Sequence, residues 1–167
     1  AQSFSQIVST SMVWVLSSVL FGYANFVLSG YFKDIEADRA TGYNTLPVVF
    51  GRGISACASD VLALGSVVFA AVTVLGLAHT TPSPLAQLAP WMFFLPAVGT
   101  SLLAQVRLHK VTTDGDAHRA IEPVVHSYIL LLSSIVIAQK PEWIVFLVFF
   151  YGAFVAVLKI RPAESQI

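Results

Sequence analysis

The chain is poor in charge. Asp, Glu, Lys and Arg make up only 11% of its 167 residues, against about 25% in a soluble globular domain. So little charge excludes a water-solvated surface over most of the molecule. The 56% hydrophobic content excludes disorder, because ample apolar surface is available to bury. Nine basic residues balance nine acidic ones, so no global basic field exists to recruit nucleic acid. Cysteine occurs once, at Cys57, which excludes an internal disulfide and a thiolate metal cluster. A lone thiol in such a chain reads as a small buried apolar side chain, and it leaves the redox compartment open. A cleavable signal peptide is not visible either, since the first ten residues are polar and lack Lys and Arg. The only methionines are Met12 and Met92. The expectation is that an initiator Met was removed ahead of Ala1 or that the chain was once longer at this end.

Long apolar runs take the place of charge, and the mean hydropathy is +0.78. Five stretches are long enough to cross a hydrocarbon core of about 30 Å, which takes roughly 20 helical residues. They lie at about 11–32, 54–78, 90–108, 121–138 and 143–160. In lipid only helices and closed barrels satisfy the backbone. The runs are continuous rather than alternating, as in Val145-Phe146-Leu147-Val148-Phe149-Phe150, so helices are expected. Small residues such as Gly22, Ala24, Gly65, Ser66 and Gly152 punctuate them and permit close helix approach. The expected fold is an all-α polytopic membrane bundle, a single transmembrane domain over residues 1–167.

The few charges are unevenly placed. With five spans, one side of the membrane receives Lys33, Arg39, Arg52, Arg107, Lys110, Arg119, Lys159 and Arg161. The other receives Lys140 alone. The asymmetry predicts that the two longer polar loops face the cytoplasm, or the matrix in a mitochondrial membrane.

The densest cluster ends the first run: Tyr31-Phe32-Lys33-Asp34-Ile35-Glu36-Ala37-Asp38-Arg39. If the helix continues, Asp34 and Asp38 share one face about 5–6 Å apart at Cβ, while Glu36 points elsewhere. Paired carboxylates without His or Cys suit Mg²⁺ or Mn²⁺, whose shells are completed by water and phosphate oxygens. Lys33 and Arg39 flank the pair and can hold an anion beside the metal. Thr41-Gly42-Tyr43-Asn44-Thr45-Leu46-Pro47 then breaks the helix and supplies hydroxyl, amide and backbone donors. Spacing alone leaves open a second reading, a solvated mixed-charge loop that only sets topology.

The 21 residues Tyr31–Gly51, with Lys33-Asp34-x-x-x-Asp38 followed by Gly42-x-x-Thr45-Leu46-Pro47-Val48 and Gly51, closely resemble the second aspartate-rich motif of the UbiA superfamily of intramembrane prenyltransferases. The resemblance implies transfer of an isoprenoid group from an allylic diphosphate to an aromatic or other lipid-soluble acceptor. It assigns Asp34 and Asp38 as catalytic Mg²⁺ ligands and Lys33 as a diphosphate contact. Arg39, Asn44 and Thr45 complete the expected diphosphate site, and Asn25 and Tyr31 are expected to line the pocket. Family members carry two such motifs in a bundle of about nine helices. The first, of the form N-D-x-x-D-x-x-x-D, is missing from this sequence: Asp60 stands alone, and Asp114-Gly115-Asp116 lacks the Asn-Asp prefix. The chain therefore resembles the C-terminal half of the fold. It is expected to be inactive alone and to need the N-terminal half or other membrane subunits as partners. The alternative is a truncated, non-catalytic subunit packed in a larger membrane complex. A channel or transporter is disfavoured, since few charges lie within the spans.

Other candidates have plainer readings. His118, Glu122 and His126 share a helix face. The outer pair is about 12 Å apart along the axis, too far for one metal, so a capped helix entry and a buried, hydrogen-bonded His126 are expected. Asp114-Gly115-Asp116 reads as a tight turn, and Thr80-Thr81-Pro82-Ser83-Pro84 as a stiff one. Trp14, Trp91 and Trp143 read as interface anchors. Asn25 is costly within a span without a partner; lining the pocket and bonding a neighbouring helix both remain open.

Overall fold

A computed structural model describes residues 10–78 and 83–160. The Thr80-Thr81-Pro82 part of the expected stiff turn and Arg161 lie outside them. Among the described residues the chain is all-helical: α1 (Thr10–Gly30), a 3₁₀ turn Tyr31–Lys33, α2 (Ile35–Thr41), α3 (Leu46–Ala78), α4 (Pro84–Leu88), α5 (Trp91–Leu108), a 3₁₀ turn Asp114–Asp116, α6 (His118–Gln139), a 3₁₀ turn Pro141–Trp143 and α7 (Ile144–Ile160). Five segments are long and apolar enough to cross a membrane, containing α1, α3, α5, α6 and α7. The count fits a multi-pass membrane protein.

The distribution of side chains gives the physical reason. Apart from Leu28, the residues α1 buries form the least apolar stripe of the helix: Ser18, Gly22, Asn25 and Ser29. Its outward face carries Leu16, Leu20 and Tyr23, all more than half exposed. Helix α3 repeats the pattern, burying Ser55, Ser59, Ala63, Ser66, Ala70 and Thr73 while exposing Ile54, Val61 and Leu64. In water this arrangement would be inverted. In lipid, large apolar side chains gain nothing by turning inward, and close packing of small residues drives association. Ser18 and Ser66 each donate a hydroxyl hydrogen bond to the other's backbone carbonyl, at 3.0 and 3.1 Å. A Cβ on Gly22 would lie 2.7 Å from the Tyr128 ring, and one on Gly65 would strike Phe21. Both glycines are therefore required by close helix approach.

Helices α1 and α3 form one close pair and α5 and α6 another, with α6 touching α1 and α3 as well. Helix α6 is the central element: 56% of its most apolar stretch is buried, against 6% for α7. Leu147 is the single buried residue of α7. One apolar cluster joins Val74, Phe94, Ala97, Leu131, Ile135 and Leu147 along the bundle. A second, with Phe32, Ala56, Leu108, Ala117 and Val124, lies beneath the loops at the aspartate-rich end.

Several boundaries differ from the sequence reading. The second long helix runs from just after Gly51, close to the expected residue 54, and a short helical stretch from Leu46 precedes it. Pro47 sits in the first turn of that stretch, where its missing N–H costs nothing, and Gly51 adopts φ 80°, ψ 167° inside α3. That positive φ interrupts the helical path at a kink, in a conformation that glycine adopts without a Cβ clash. Gly51 divides α3 into a short helical stretch 46–50 and a long helix 52–78, the latter about 40 Å long, so part of it lies outside a bilayer core. The first helix does not continue through Asp34; the 3₁₀ turn Tyr31–Lys33 separates α1 from α2. Cys57 is exposed, not buried as expected, because α3 packs through its serine stripe and turns position 57 away from it. The three tryptophans pack on phenylalanine rings: Trp14 on Phe69, Trp91 on Phe94 and Trp143 on Phe146, with centroids 5.3–5.7 Å apart.

Candidate functional site

The aspartate-rich loop is anchored by its apolar residues. Phe32 and Ile35 are almost completely buried on either side of Lys33 and Asp34. These two plugs bend the chain and leave the charged pair at the surface. Asp34 occupies the position before α2, at φ −118° and ψ 12°. The Asp38 N–H donates to the Asp34 carbonyl at 2.8 Å. The one-turn relation between the two aspartates thus survives the break upstream of them.

Gly42 ends α2 in the left-handed conformation, φ 79°, and the Tyr43 N–H donates back to the Asp38 carbonyl at 2.9 Å. This is a Schellman-type helix stop. It folds the following segment onto the helix, so that the Thr45 hydroxyl donates to Asp38 Oδ2 at 3.0 Å. Asp34 and Asp38 are both half-buried, as is Thr45, whereas Tyr31, Lys33, Arg39 and Asn44 are exposed. Lys33 Nζ lies 3.9 Å from Asp34 Oδ2. The two carboxylates thus take different partners: Lys33 approaches one and Thr45 binds the other.

A contact across 78 residues holds this loop in place. The Asp114 carboxylate accepts from the Glu36 N–H at 2.8 Å through Oδ2, and Oδ1 pairs with the Arg52 guanidinium. Both side chains are less than one-third exposed. The turn Asp114–Asp116 was expected from the sequence; its role in tying α2 to α3 was not. Arg52 stands one residue after the Gly51 kink, so the kink aims the guanidinium at Asp114. Arg52 Nε is buried without a hydrogen-bond partner.

Asn25 lies nine residues before Asp34, about 13 Å along a helix axis, and bonds a neighbouring helix. Its Oδ1 accepts from the Ser59 hydroxyl at 2.5 Å, and the Ser59 oxygen also lies 2.9 Å from the Gln105 amide. Ser59 thereby joins α1, α3 and α5 through polar groups inside the bundle. His126 Nδ1 lies 2.9 Å from the Tyr151 hydroxyl, which secures α7 to α6. Its Nε2 is 4.0 Å from Glu122.

Two larger hollows are present. A cavity of about 610 Å³ is lined by Arg107, Lys110, Asp116, Arg119 and Glu122. A groove of about 330 Å³ runs between α3 and α5 along Asp60, Leu64, Val67, Val98, Leu102 and Gln105. Neither Asp34 nor Asp38 lines either one. The sequence reading also missed Asp60 and His109 as a pair: His109 Nε2 lies 2.8 Å from Asp60 Oδ2. A His just past one span and an Asp inside another carry no local signal that they meet.

No family model, curated protein or solved structure matches this chain. The chemistry of the site is set by its own donors. Asp34 and Asp38 form an all-oxygen set one helical turn apart, half open to solvent, with Thr45 engaging one oxygen of Asp38. Such a set fits Mg²⁺, which takes one or two carboxylates and keeps water or phosphate in its remaining positions. Exposed Lys33 and Arg39 add cations beside it.

Proposed function

We propose that this chain is the C-terminal part of a UbiA-like prenyltransferase that transfers an isoprenoid group from an allylic diphosphate to an aromatic or other lipid-soluble acceptor. The observation that carries the proposal is the folding of the Thr45-Leu46-Pro47 segment back onto Asp38 by the Gly42 stop, beside Asp34 one turn away. Asp34 and Asp38 would hold Mg²⁺, which when bound would neutralise charge on a diphosphate leaving group. Lys33 and Arg39 bind non-bridging diphosphate oxygens. Asn44 and Thr45 add neutral donors, and the apolar interior keeps water from the allylic cation. On this reading a second metal site and the rest of the cavity would come from the N-terminal half. We place the aspartate end on the cytoplasmic or matrix side, following the Lys/Arg asymmetry.

The test is prenyl transfer by the full-length reading frame in native membranes, with and without Asp34→Asn and Asp38→Asn. Each substitution is expected to lower turnover at least about 100-fold, equivalent to about 3 kcal/mol of transition-state stabilisation. Turnover equal to that of the parent removes the assignment. An N-D-x-x-D-x-x-x-D segment found about 100–130 residues upstream of Asp34 in the reading frame would favour the enzyme, because it would supply the second metal site that the mechanism requires.

One observation favours the other reading, a non-catalytic subunit. Helix α7 buries only Leu147 and exposes Val145, Phe146, Phe149 and Phe150, a face that suits a neighbouring membrane helix. Co-purification of this chain in a stable complex without prenyl-transfer activity would select it.

A further inference from the structure

We infer that Cys57, Asp60 and His109 form a binding site for one divalent transition-metal ion of the zinc class, separate from the aspartate-rich loop. Their ligand atoms all lie within 4.8 Å of one another. Cys57 and Asp60 are three residues apart on α3, which puts both on one helix face. His109 follows the last residue of α5 and keeps a helical backbone, φ −64° and ψ −17°. Its Nε2 already lies 2.8 Å from Asp60 Oδ2. Two elements, 49 residues apart in sequence, thus deliver a sulfur, a nitrogen and an oxygen to one point.

The chemistry of the donors selects the ion. Thiolate and imidazole favour zinc-class metals over Mg²⁺ or Ca²⁺. In a tetrahedral zinc site, metal–ligand distances of about 2.0–2.3 Å put neighbouring ligand atoms roughly 3.3–3.8 Å apart. The widest separation, at most 4.8 Å, closes by about 1 Å of side-chain rotation, and the Asp60–His109 contact opens from 2.8 Å by about half an ångström as the metal replaces their hydrogen bond. All three side chains are at least partly exposed, so that rotation meets open space. The last carbonyls of α5 also point toward His109, and the negative end of a helix dipole favours a cation there. Cys57 gives up its thiol proton when the metal binds.

Three protein ligands leave one position of the tetrahedron for water or another ligand, as in reactive rather than purely structural zinc sites. Asp60 lines the mouth of the apolar groove between α3 and α5, so the metal would stand at the head of that groove. It would also clamp α3 to the end of α5.

The single cysteine makes the test specific. Tag-free full-length protein in detergent is titrated with Co²⁺ and then Zn²⁺, with excess Mg²⁺ present. The expected result is one Co²⁺ per chain with a sulfur-to-cobalt charge-transfer absorption, displaced by Zn²⁺ and insensitive to Mg²⁺. These 167 residues hold no other thiol, and loss of the absorption in Cys57→Ala assigns it to position 57. Cys57→Ala abolishes it, and His109→Ala and Asp60→Ala weaken Zn²⁺ binding at least about 100-fold. The donor-preserving variants Cys57→His and His109→Cys retain one-to-one Zn²⁺ binding. They decide the matter if an alanine variant fails to fold. Absence of the charge-transfer absorption, Zn²⁺ binding unchanged in the alanine variants, or one metal shared by two chains overturns the inference. Prenyl-transfer activity is read separately, so loss of either proposal leaves the other standing.

Discussion

Replacing Asp114 by alanine removes the carboxylate that joins three parts of the aspartate-rich end. It deletes an ion pair with Arg52 whose partners are 27% and 16% exposed, and a hydrogen bond from the Glu36 backbone. Arg52 Nε already lacks a hydrogen-bond partner, so the guanidinium would lose its carboxylate while staying mostly out of water. Breaking a buried pair costs about 3–5 kcal/mol, and a hydrogen bond to a charged group contributes about 1.5–3 kcal/mol. The pair here is only partly buried, so a loss of about 2–3 kcal/mol is expected. For a chain of this size 1 kcal/mol corresponds to about 2–4 °C, which gives a fall in Tm of about 4–12 °C. The assay is thermal unfolding in detergent, run as a double-mutant cycle with Arg52→Ala. If the two side chains act on each other, the double variant is hardly less stable than Asp114→Ala alone, and the coupling exceeds about 1 kcal/mol. A Tm within 1 °C of the parent for Asp114→Ala, or strictly additive effects, refutes the reasoning.

Gly22→Ala puts a methyl group 2.7 Å from Tyr128 and 2.8 Å from Ser66 Oγ, and overpacking of this kind costs about 1–3 kcal/mol; the same unfolding assay checks it, with Gly30→Ala, which meets open space, as the comparison. Phe149→Lys places a charge on the outer face of α7, where Phe149 is 74% exposed. Insertion of α7 is expected to lose about 3 kcal/mol, read as reduced membrane integration in a glycosylation-tagged reporter; unchanged integration would argue against a lipid-facing α7. Gly115→Cys in a Cys57→Ser background should react with a membrane-impermeant maleimide only after the cytoplasmic or matrix side is opened, and labelling from the opposite side reverses the orientation.

Much of the architecture was legible because bilayer thickness acts on sequence directly. A run near 20 apolar residues is a helix across lipid wherever it sits, so the five spans could be read before any contact was known. The Gly42 stop was equally readable, since a helix needs a left-handed residue to end there. The start of α3 at Leu46 was less so: Pro47 and Gly51 both look like helix breakers in one dimension, and only Gly51 is one. In place, Pro47 occupies a first turn and Gly51 a kink. The candidate metal ligands Asp34 and Asp38 stand out by spacing, but their partners, Lys33 and Thr45, depend on how the loop folds back.

The sequence by itself determined the five helices long and apolar enough to cross a membrane and the location of the acidic pair, because apolar length and charge are properties of contiguous residues. Tertiary structure alone decided which faces are buried. In lipid the hydrophobic effect does not rank them, and the serine and glycine stripes of α1 and α3 were chosen by fit. It also decided that Asp114 holds Arg52 and Glu36, that Ser59 links Asn25 to Gln105, and that Cys57, Asp60 and His109 converge. Those meetings join residues tens of positions apart, and nothing in either partner's immediate neighbourhood encodes the other.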